Sequence, residues 1–306
     1  MASIAAVIVT YQTRELLKKC LLALYTGAAD LVPEPRVIVV DNASTDGTTK
    51  MVKNEFPDVE LIVNSQNRGP ASAFNQGISS AVTDADYILV LNSDVEILPG
   101  TLLNMHAFLE TNPLVDGITC NLRNPDGSLQ FTRTHVWRLR PLHFERRFGT
   151  EWIGTTCGMA RASIFRQIGG YDENFYFFNE DLDWTERAKR NRCRFMYLPD
   201  APVVHHGGQG RKHNMPRIVK ELYASNIYYF KRHQHRQAWL ALHLFLLNNK
   251  GQIVKLQKQL AAGQDQPRED QLRELLAAYA EARSRMQAEY RLERAPRIPY
   301  WPDKRS

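Results

Sequence analysis

The sequence has few cysteines and lacks a long hydrophobic run, and both absences limit the kind of protein that it encodes. Its 306 residues include four cysteines that lie far apart and form no Cys-x-x-Cys pair. This spacing excludes a disulfide scaffold and favours a reducing compartment. The most apolar later run, Ala238–Leu247, contains His243 and is too short to cross a bilayer, so we expect no transmembrane helix. The apolar N-terminal stretch lacks the basic region of a signal peptide and predicts a first strand.

Charges of the two signs are unevenly distributed along the chain. Residues 1–210 carry 20 Lys or Arg and 24 Asp or Glu, a net charge of −4. Residues 211–306 carry 19 and 9, a net charge of +10. The acidic first part argues against an enzyme with a basic cleft for nucleic acid, and we predict no nucleic-acid partner. The basic second part could meet an anionic membrane surface or an acidic partner, or it could have no particular partner.

Strand-like and helix-like segments alternate over the first hundred residues or so. The apolar, β-branched runs that predict strands are Ile4–Thr10, Val37–Val40, Glu60–Val63 and Tyr87–Leu91. The segments between and after them that predict helices are Arg14–Tyr25, one that opens at Ser44–Gly47 with Ser or Asp as N-cap, Gly69–Ser80 and Pro99–Glu110. This alternation is typical of an α/β fold with a Rossmann-like, mostly parallel central sheet and flanking helices.

The pattern is less regular after residue 110. The elements predicted there are strand Thr155–Ala160, helices Arg161–Ile168 and Asp181–Arg190, and strands Arg194–Leu198 and Val203–Val204. Residues 215–290 read as helical, with a polar break at Gly263–Pro267. We therefore predict an α/β domain over residues 1–214 and a helical, basic C-terminal region over residues 215–306.

Polar residues follow three of the predicted strands at the point where each strand ends. Thr10 and Tyr11 follow the first strand, Asp41 the second, and Asn92–Asp94 the fourth. The carboxyl ends of the strands form the ligand crevice of an open α/β sheet, so these residues are candidates for binding a nucleotide. Asp41 could accept hydrogen bonds from a base or ribose, with Tyr11 against the base. Alternatively, Asp41 caps the next turn.

Asp94 and His205 are candidate ligands of a metal ion. Asp94 could bind a hard cation that bridges two phosphates, or it could cap a helix. His205 precedes His206 and two glycines, and a neutral imidazole at this point could complete the ligand set. Alternatively, both histidines are surface residues before a flexible loop.

A second acidic cluster, Glu180-Asp181-Leu182-Asp183-Trp184, opens a predicted helix. The helix dipole favours acids at a helix N-terminus, which accounts for one or two of them. The aromatic segment YDENFYFF comes just before and predicts apolar walls around Glu180 and Asp181. A carboxylate in such surroundings could remove a proton from an acceptor hydroxyl as a general base.

Taken in order, these segments resemble the family 2 glycosyltransferases with the GT-A fold, in particular the bacterial rhamnosyltransferase-like members. The matching stretches are VIVTYQTRELLKKCLLAL, VIVVDNASTDGT, NSQNRGPASAFNQGI, YILVLNSDVEILPGTL, GMARASIFRQIGGYDENFYFFNEDLDWTERAKRNR and FMYLPDAPVVHHGG. The resemblance implies that Asp181 is the catalytic base and that Asp94 and His205 hold a metal, with Asn92 in place of the first acid of the usual motif. It implies a nucleotide-sugar site formed by Thr10, Tyr11, Asp41, Asn67, Arg68, Asn92 and Ser93. It implies an acceptor pocket formed by Trp152, Glu180, Asp183 and Trp184.

The activity that the resemblance implies is inverting, metal-dependent glycosyl transfer with Mg²⁺ or Mn²⁺. The donor would be a nucleotide-diphosphate sugar (dTDP-rhamnose or a UDP-sugar), and the acceptor a hydroxyl of a glycan or lipid-linked molecule in cell-surface polysaccharide synthesis. We expect a cytoplasmic protein, free or peripheral on the inner face of the membrane, whose C-terminal region contacts an anionic membrane surface or forms a homodimer. The alternatives are a non-catalytic nucleotide-sugar-binding scaffold and a sugar nucleotidyltransferase. The second would need a glycine-rich phosphate loop after the first strand, where this chain reads TYQTRELL.

Overall fold

The computed structural model describes residues 2–130, 154–207, 215–233, 238–263 and 266–291. The chain divides into two compact units. The first comprises residues 1–176 and 180–212, and the second comprises residues 177–179 and 213–306. Trp152, which the resemblance assigns to the acceptor pocket, lies outside the described residues.

A mixed sheet of eight strands forms the centre of the first unit within the described residues. The strands are β1 (Ile4–Thr10), β2 (Arg36–Asp41), β3 (Glu60–Val63), β4 (Tyr87–Asn92), β5 (Val95–Ile97), β6 (Gly117–Arg123), β7 (Cys157–Arg161) and β8 (Phe195–His205). Their order across the sheet is β3-β2-β1-β4-β7-β6-β8-β5. Neighbours pair in parallel except at β4–β7, β6–β7 and β5–β8. The predicted mostly parallel sheet is therefore confirmed.

Helices cover both faces of this sheet. They are α1 (Arg14–Ala28), α2 (Thr48–Glu55), α3 (Pro70–Ala81), α4 (Thr101–Thr111), α5 (Ala162–Ile168) and α6 (Glu180–Arg190). Successive strand residues point to opposite faces, so Ala6 and Ile8 of β1 pack with α1, α2 and α4, whereas Ala5 and Val7 pack with α3, α5 and α6. The apolar runs in the sequence thus form strands that are buried on both faces, as expected for a parallel sheet between helices.

Three local predictions were wrong. Helix α2 begins at Thr48, and its cap position is Gly47 with φ 86°, not a serine or aspartate. Helix α4 begins at Thr101 and not at Pro99. The two strands predicted near the end of the first unit are one strand, β8, because a register shift in its pairing with β6 accommodates the proline-containing middle part. Strands β5 and β6 had not been predicted, because β5 is too short to show a period and its partner β8 lies about a hundred residues away.

The second unit contains the helices α7 (Met215–His233), α8 (Ala238–Ala261) and α9 (Gln266–Arg291). Tyr223 Oη donates to Asn248 Oδ1 over 3.1 Å, which ties α7 to α8. Asn249 is fully buried, and its Nδ2 donates to the Tyr279 carbonyl of α9 over 3.0 Å. No helix in the described part of the chain is long and apolar enough to cross a membrane.

Candidate active site

Hydroxyl groups connect the carboxyl ends of β1 and β4. Thr10 Oγ1 lies 2.9 Å from Thr13 Oγ1, which lies 2.8 Å from Ser93 Oγ. All three side chains are buried, so the hydroxyl groups form a chain that water does not interrupt. Because β1 and β4 are parallel neighbours, the sheet brings the predicted nucleotide-site residues Thr10 and Ser93 together at one edge.

Asp41 ends β2 at the same edge and is fully buried. Its Oδ1 accepts a hydrogen bond from the Ser44 backbone N–H over 2.9 Å, and its Oδ2 accepts one from the Thr49 hydroxyl. This is the capping role that the sequence left open as an alternative. Tyr11 is partly exposed beside it, at the end of β1. Contact of either side chain with a base stays a prediction.

Asn42, which sequence reasoning did not select, organises the loop that carries Asn67 and Arg68. Its Nδ2 donates to Asn67 Oδ1 over 3.0 Å, and its Oδ1 accepts from the Arg68 backbone N–H over 3.0 Å. Gly69 follows with φ 81°, and a Cβ there would lie 2.4 Å from the Tyr176 carbonyl oxygen. The loop is thus fixed by its backbone, while the Arg68 side chain is exposed. The only sequence signal for Asn42 was its place next to Asp41 at a strand end.

Asp94 and His205 face each other at this edge. Asp94 Oδ1 lies 3.4 Å from His205 Nε2, and each side chain is 11% exposed. On its other side, His205 Nδ1 lies 2.6 Å from Gln130 Oε1. An amide oxygen only accepts hydrogen bonds, so Nδ1 carries a hydrogen and donates it to Gln130, while Nε2 faces the Asp94 carboxylate. A cation held between Asp94 Oδ1 and His205 Nε2 would stabilise that arrangement.

The unpredicted strand β5 explains how two residues so far apart in sequence meet. Asp94 lies in the tight turn between β4 and β5, and β5 pairs with β8 so that Val95 is opposite His205. The His206 backbone N–H also donates to the Asp94 carbonyl over 2.9 Å. Gln130, which orients His205, had no signal in the sequence. Within the described ranges, no group of three or more Asp, Glu, His or Cys side chains is arranged to hold a metal, and the metal role of Asp94 and His205 stays a prediction.

Asp181 lies in the first turn of α6 and is 9% exposed. Its Oδ1 accepts from the Leu182 backbone N–H over 2.8 Å, and its Oδ2 accepts from the Thr155 backbone N–H over 3.4 Å. The backbone carbonyl of the next residue, Thr156, accepts a hydrogen bond from the Asn92 backbone N–H over 3.0 Å. Residues 155–156 therefore connect Asp181 directly with the carboxyl end of β4, because β7 is antiparallel to β4 and begins at this edge.

Aromatic residues surround the acidic start of α6. Tyr171 and Phe175 are buried, and Glu180 is 5% exposed. Burial raises the pKa of the Tyr171 phenol well above its ordinary value, and the negative charges of Asp181 and Glu180 raise it further. The phenol therefore stays neutral near these two carboxylates, and apolar walls around Glu180 and Asp181 stay a prediction.

Asp183 and Trp184 have no exposed surface, although the resemblance assigned both to an acceptor pocket. Asp183 Oδ2 accepts from Arg187 Nε over 2.7 Å, and the same guanidinium donates to two backbone carbonyls of the segment that leads from α5 toward α6. Trp184 stacks on Phe165 with ring centroids 4.6 Å apart. In the structure these two side chains pack α6 against its neighbours and are fully buried, and their part in shaping an acceptor pocket stays a prediction.

Comparison with known sequences gives consistent relatives. The profile of glycosyl transferase family 2 matches residues 5–169, just over half of the chain. An N-acetylglucosaminyl-diphospho-decaprenol L-rhamnosyltransferase of Mycobacterium tuberculosis is 27% identical over 241 residues, which cover 67% of this chain and 77% of the relative. The low-salt glycan biosynthesis hexosyltransferase Agl10 of Haloferax volcanii is 24% identical over 214 residues, which cover 66% of each chain.

Solved structures show the same fold. A mannosyltransferase from Pyrobaculum calidifontis, in complex with GDP-Man and Mn²⁺, has a TM-score of 0.56 at 20% identity and covers 94% of this chain and 88% of its own. S. aureus TarS 1-349 in complex with UDP has a TM-score of 0.55 at 15% identity and covers 94% and 92%. The sheet, the strand-end residues and these relatives agree: the chain belongs to glycosyl transferase family 2, has the GT-A fold and is a glycosyltransferase.

Proposed function

We propose that the protein transfers a sugar from a nucleotide-diphosphate donor to a hydroxyl of a glycan or lipid-linked acceptor, with inversion, in cell-surface polysaccharide synthesis. The observation that carries the proposal is the connection from β4 to Asp181 through the backbone of Thr155 and Thr156. It supports a single crevice in which a donor phosphate near Asp94 and an acceptor hydroxyl near Asp181 come close together.

In this proposal Asp181 is the general base. Its buried carboxylate accepts the proton of the acceptor hydroxyl as that oxygen attacks the anomeric carbon, and the bond from that carbon to the diphosphate oxygen breaks. One displacement inverts the anomeric configuration and needs no covalent enzyme intermediate. Thr10, Tyr11, Asp41, Asn67, Asn92 and Ser93 would hold the nucleotide sugar. Arg68 is suited to meet the donor, because its side chain is exposed and its guanidinium carries a positive charge that can pair with a phosphate.

The residues present fit a divalent ion at the same edge. Asp94 and His205 would hold it, since a carboxylate oxygen and an imidazole nitrogen already face each other with Gln130 fixing the ring. When bound, the ion would neutralise the negative charge that develops on the departing diphosphate. An imidazole ligand suits first-row transition metals better than Mg²⁺, so between the two expected ions we favour Mn²⁺. The mannosyltransferase with the same fold was solved with Mn²⁺.

The donor and product are tested together. We expect a panel of dTDP-rhamnose, UDP-sugars and GDP-sugars with Mn²⁺ to give one donor that raises the melting temperature, and dTDP-rhamnose is the first choice because of the rhamnosyltransferase relative. With that donor and a lipid-linked acceptor, proton NMR of the product should show an anomeric configuration opposite to that of the donor. Retention of configuration would contradict the role of Asp181, and binding without transfer to any acceptor would favour the scaffold alternative.

We further propose that the C-terminal unit contacts an anionic membrane surface at the inner face of the membrane. Helix α8 contains three lysines and no acid, and along one side of it Leu247, Lys250, Val254 and Lys258 are exposed. A side that mixes exposed apolar and basic groups binds lipid headgroups, whereas two copies of it would repel each other. We therefore favour a membrane over a homodimer.

Vesicle flotation tests the membrane contact. The protein should float with vesicles that contain phosphatidylglycerol at low salt, and Lys250→Glu with Lys258→Glu should abolish flotation because each exchange replaces attraction by repulsion. The matched control is Arg268→Glu with Arg285→Glu, which makes the same charge change on exposed positions of α9. Equal losses from both pairs would show a general charge effect and contradict a role for this side of α8.

A further inference from the structure

A strained turn comes immediately before the proposed base. Phe178 has φ 70° and Asn179 has φ 66°, so two consecutive residues that are not glycine adopt the left-handed conformation. This conformation raises the steric energy of an L-residue, and the increase is largest for bulky side chains such as that of phenylalanine. Such a turn persists only when its surroundings hold it, and strain of this kind is found at functional sites. Glu180 and Asp181 follow directly in the chain.

Helix α7 supplies the groups that hold this turn. Ser225 Oγ donates to the Phe177 carbonyl over 2.7 Å, and Asn179 Nδ2 donates to Asn226 Oδ1 over 3.2 Å. Ser225 is 3% exposed and Asn179 is 9% exposed, so water competes little for either bond. Residues 177–179 belong to the same compact unit as α7 and not to the unit that contains α6.

We infer that Ser225 and Asn226 are positioning residues for transfer, because they hold the Phe178–Asn179 turn in the left-handed conformation from which α6 and Asp181 start. This inference rests on the proposed role of Asp181. Because Asn179 is bonded directly to Glu180, the conformation of the turn limits where the first turn of α6 can lie. In that first turn, Asp181 also accepts a hydrogen bond from the Thr155 N–H. Without the two hydrogen bonds, the turn relaxes to a right-handed or extended conformation, and the carboxylate leaves its place in a fraction of the molecules.

The direct test changes the residue in the turn. Asn179→Ala should lower kcat about tenfold with little change in donor KM, because the left-handed conformation is sterically unfavourable for alanine and the hydrogen bond to Asn226 is lost. Asn179→Gly should keep most of the turnover, because glycine adopts a positive φ without cost. Asn226→Ala and Ser225→Ala should each lower kcat about fivefold, the effect of one lost hydrogen bond. In the Asn179→Gly background, Asn226→Ala should have no further effect on kcat.

The control removes a hydrogen bond of the same unit away from the turn. Asn248→Ala deletes the partner of Tyr223 and should lower the melting temperature without changing kcat. If Asn226→Ala, Ser225→Ala and Asn179→Ala all turn over like the wild type while Asp181→Asn is inactive, the positioning role is overturned. The role of Asp181 as the general base is then still supported. If Asp181→Asn itself turns over normally, the proposed function fails first. If Asn179→Ala does not fold, the kcat of the Asn226→Ala and Ser225→Ala variants decides.

Discussion

Replacing Asp181 by asparagine is expected to lower kcat by roughly 100- to 10,000-fold while the affinity for the nucleotide stays near that of the wild type. The asparagine has nearly the same shape, and its side-chain oxygen can still accept the hydrogen bond from the Leu182 backbone N–H. It cannot take up the proton of an acceptor hydroxyl at neutral pH, so the chemical step is lost, and its amide nitrogen cannot accept the weak Thr155 N–H bond that Oδ2 accepts over 3.4 Å. Single-turnover transfer and calorimetric titration of the nucleotide measure the two quantities separately.

A neighbouring carboxylate provides the control for this exchange. Glu173 lies on the segment between α5 and α6, is exposed and accepts a hydrogen bond from Asn75, a role that glutamine retains. Glu173→Gln should therefore leave kcat and the melting temperature nearly unchanged. Near-wild-type turnover of Asp181→Asn would remove Asp181 from the role of base. A large loss of nucleotide affinity in the same variant would assign it to donor binding instead.

Replacing Asp94 by asparagine is the second change with a large expected effect. It should lower activity about 100- to 1,000-fold, which corresponds to a transition state that loses several kcal/mol of charge stabilisation. An amide oxygen is a weaker ligand than a carboxylate, so a higher Mn²⁺ concentration should be needed for half-maximal activity. EDTA should abolish the activity of the wild type, and Mn²⁺ should restore it better than Mg²⁺ does.

The two ends of β4 offer a matched pair of variants for this test. Asp86 lies just before β4 and accepts hydrogen bonds from Ser3, whereas Asp94 lies just after it. Asp86→Asn should leave the dependence on Mn²⁺ unchanged. Gln130→Ala should weaken Mn²⁺ binding by about 10- to 100-fold, because it frees the His205 ring without removing a ligand. Full activity of the wild type in EDTA would contradict the metal role of this pair.

The placement of the candidate donor residues at one edge of the sheet could be predicted from the sequence. Thr10, Asp41 and Asp94 each end or follow a run of apolar residues, and in a parallel sheet the carboxyl ends of neighbouring strands share one edge. The periodicity also gave the strands that carry them to within a residue or two. A local pattern is enough here, because strand, turn and helix follow one another within a short stretch of chain.

The parts that were missed depend on contacts between distant residues. Gln130 meets His205 because β8 returns beside β6 and β5, and nothing near residue 130 in the sequence indicates that neighbour. The same holds for Asn42, whose amide binds a loop more than twenty residues further along. The burial of Trp184 is a further example, because its ring stacks on Phe165 of α5 and packs in the core beside the sheet, which its acidic neighbours in the sequence do not indicate.

By itself, the sequence determined the α/β class of the first unit, the strand ends that carry polar residues and the acidic start of α6. Each of these depends on local hydrophobic periodicity or on residues that are adjacent in the chain. Only the tertiary structure decided which of these residues meet. Long-range strand pairing places His205 beside Asp94, and the antiparallel β7 places Thr155 beside Asp181. Helix α7 forms hydrogen bonds with the turn that precedes α6. Such contacts arise because burying apolar surface pulls distant segments together, and their partners are selected by shape and hydrogen bonding across the whole chain.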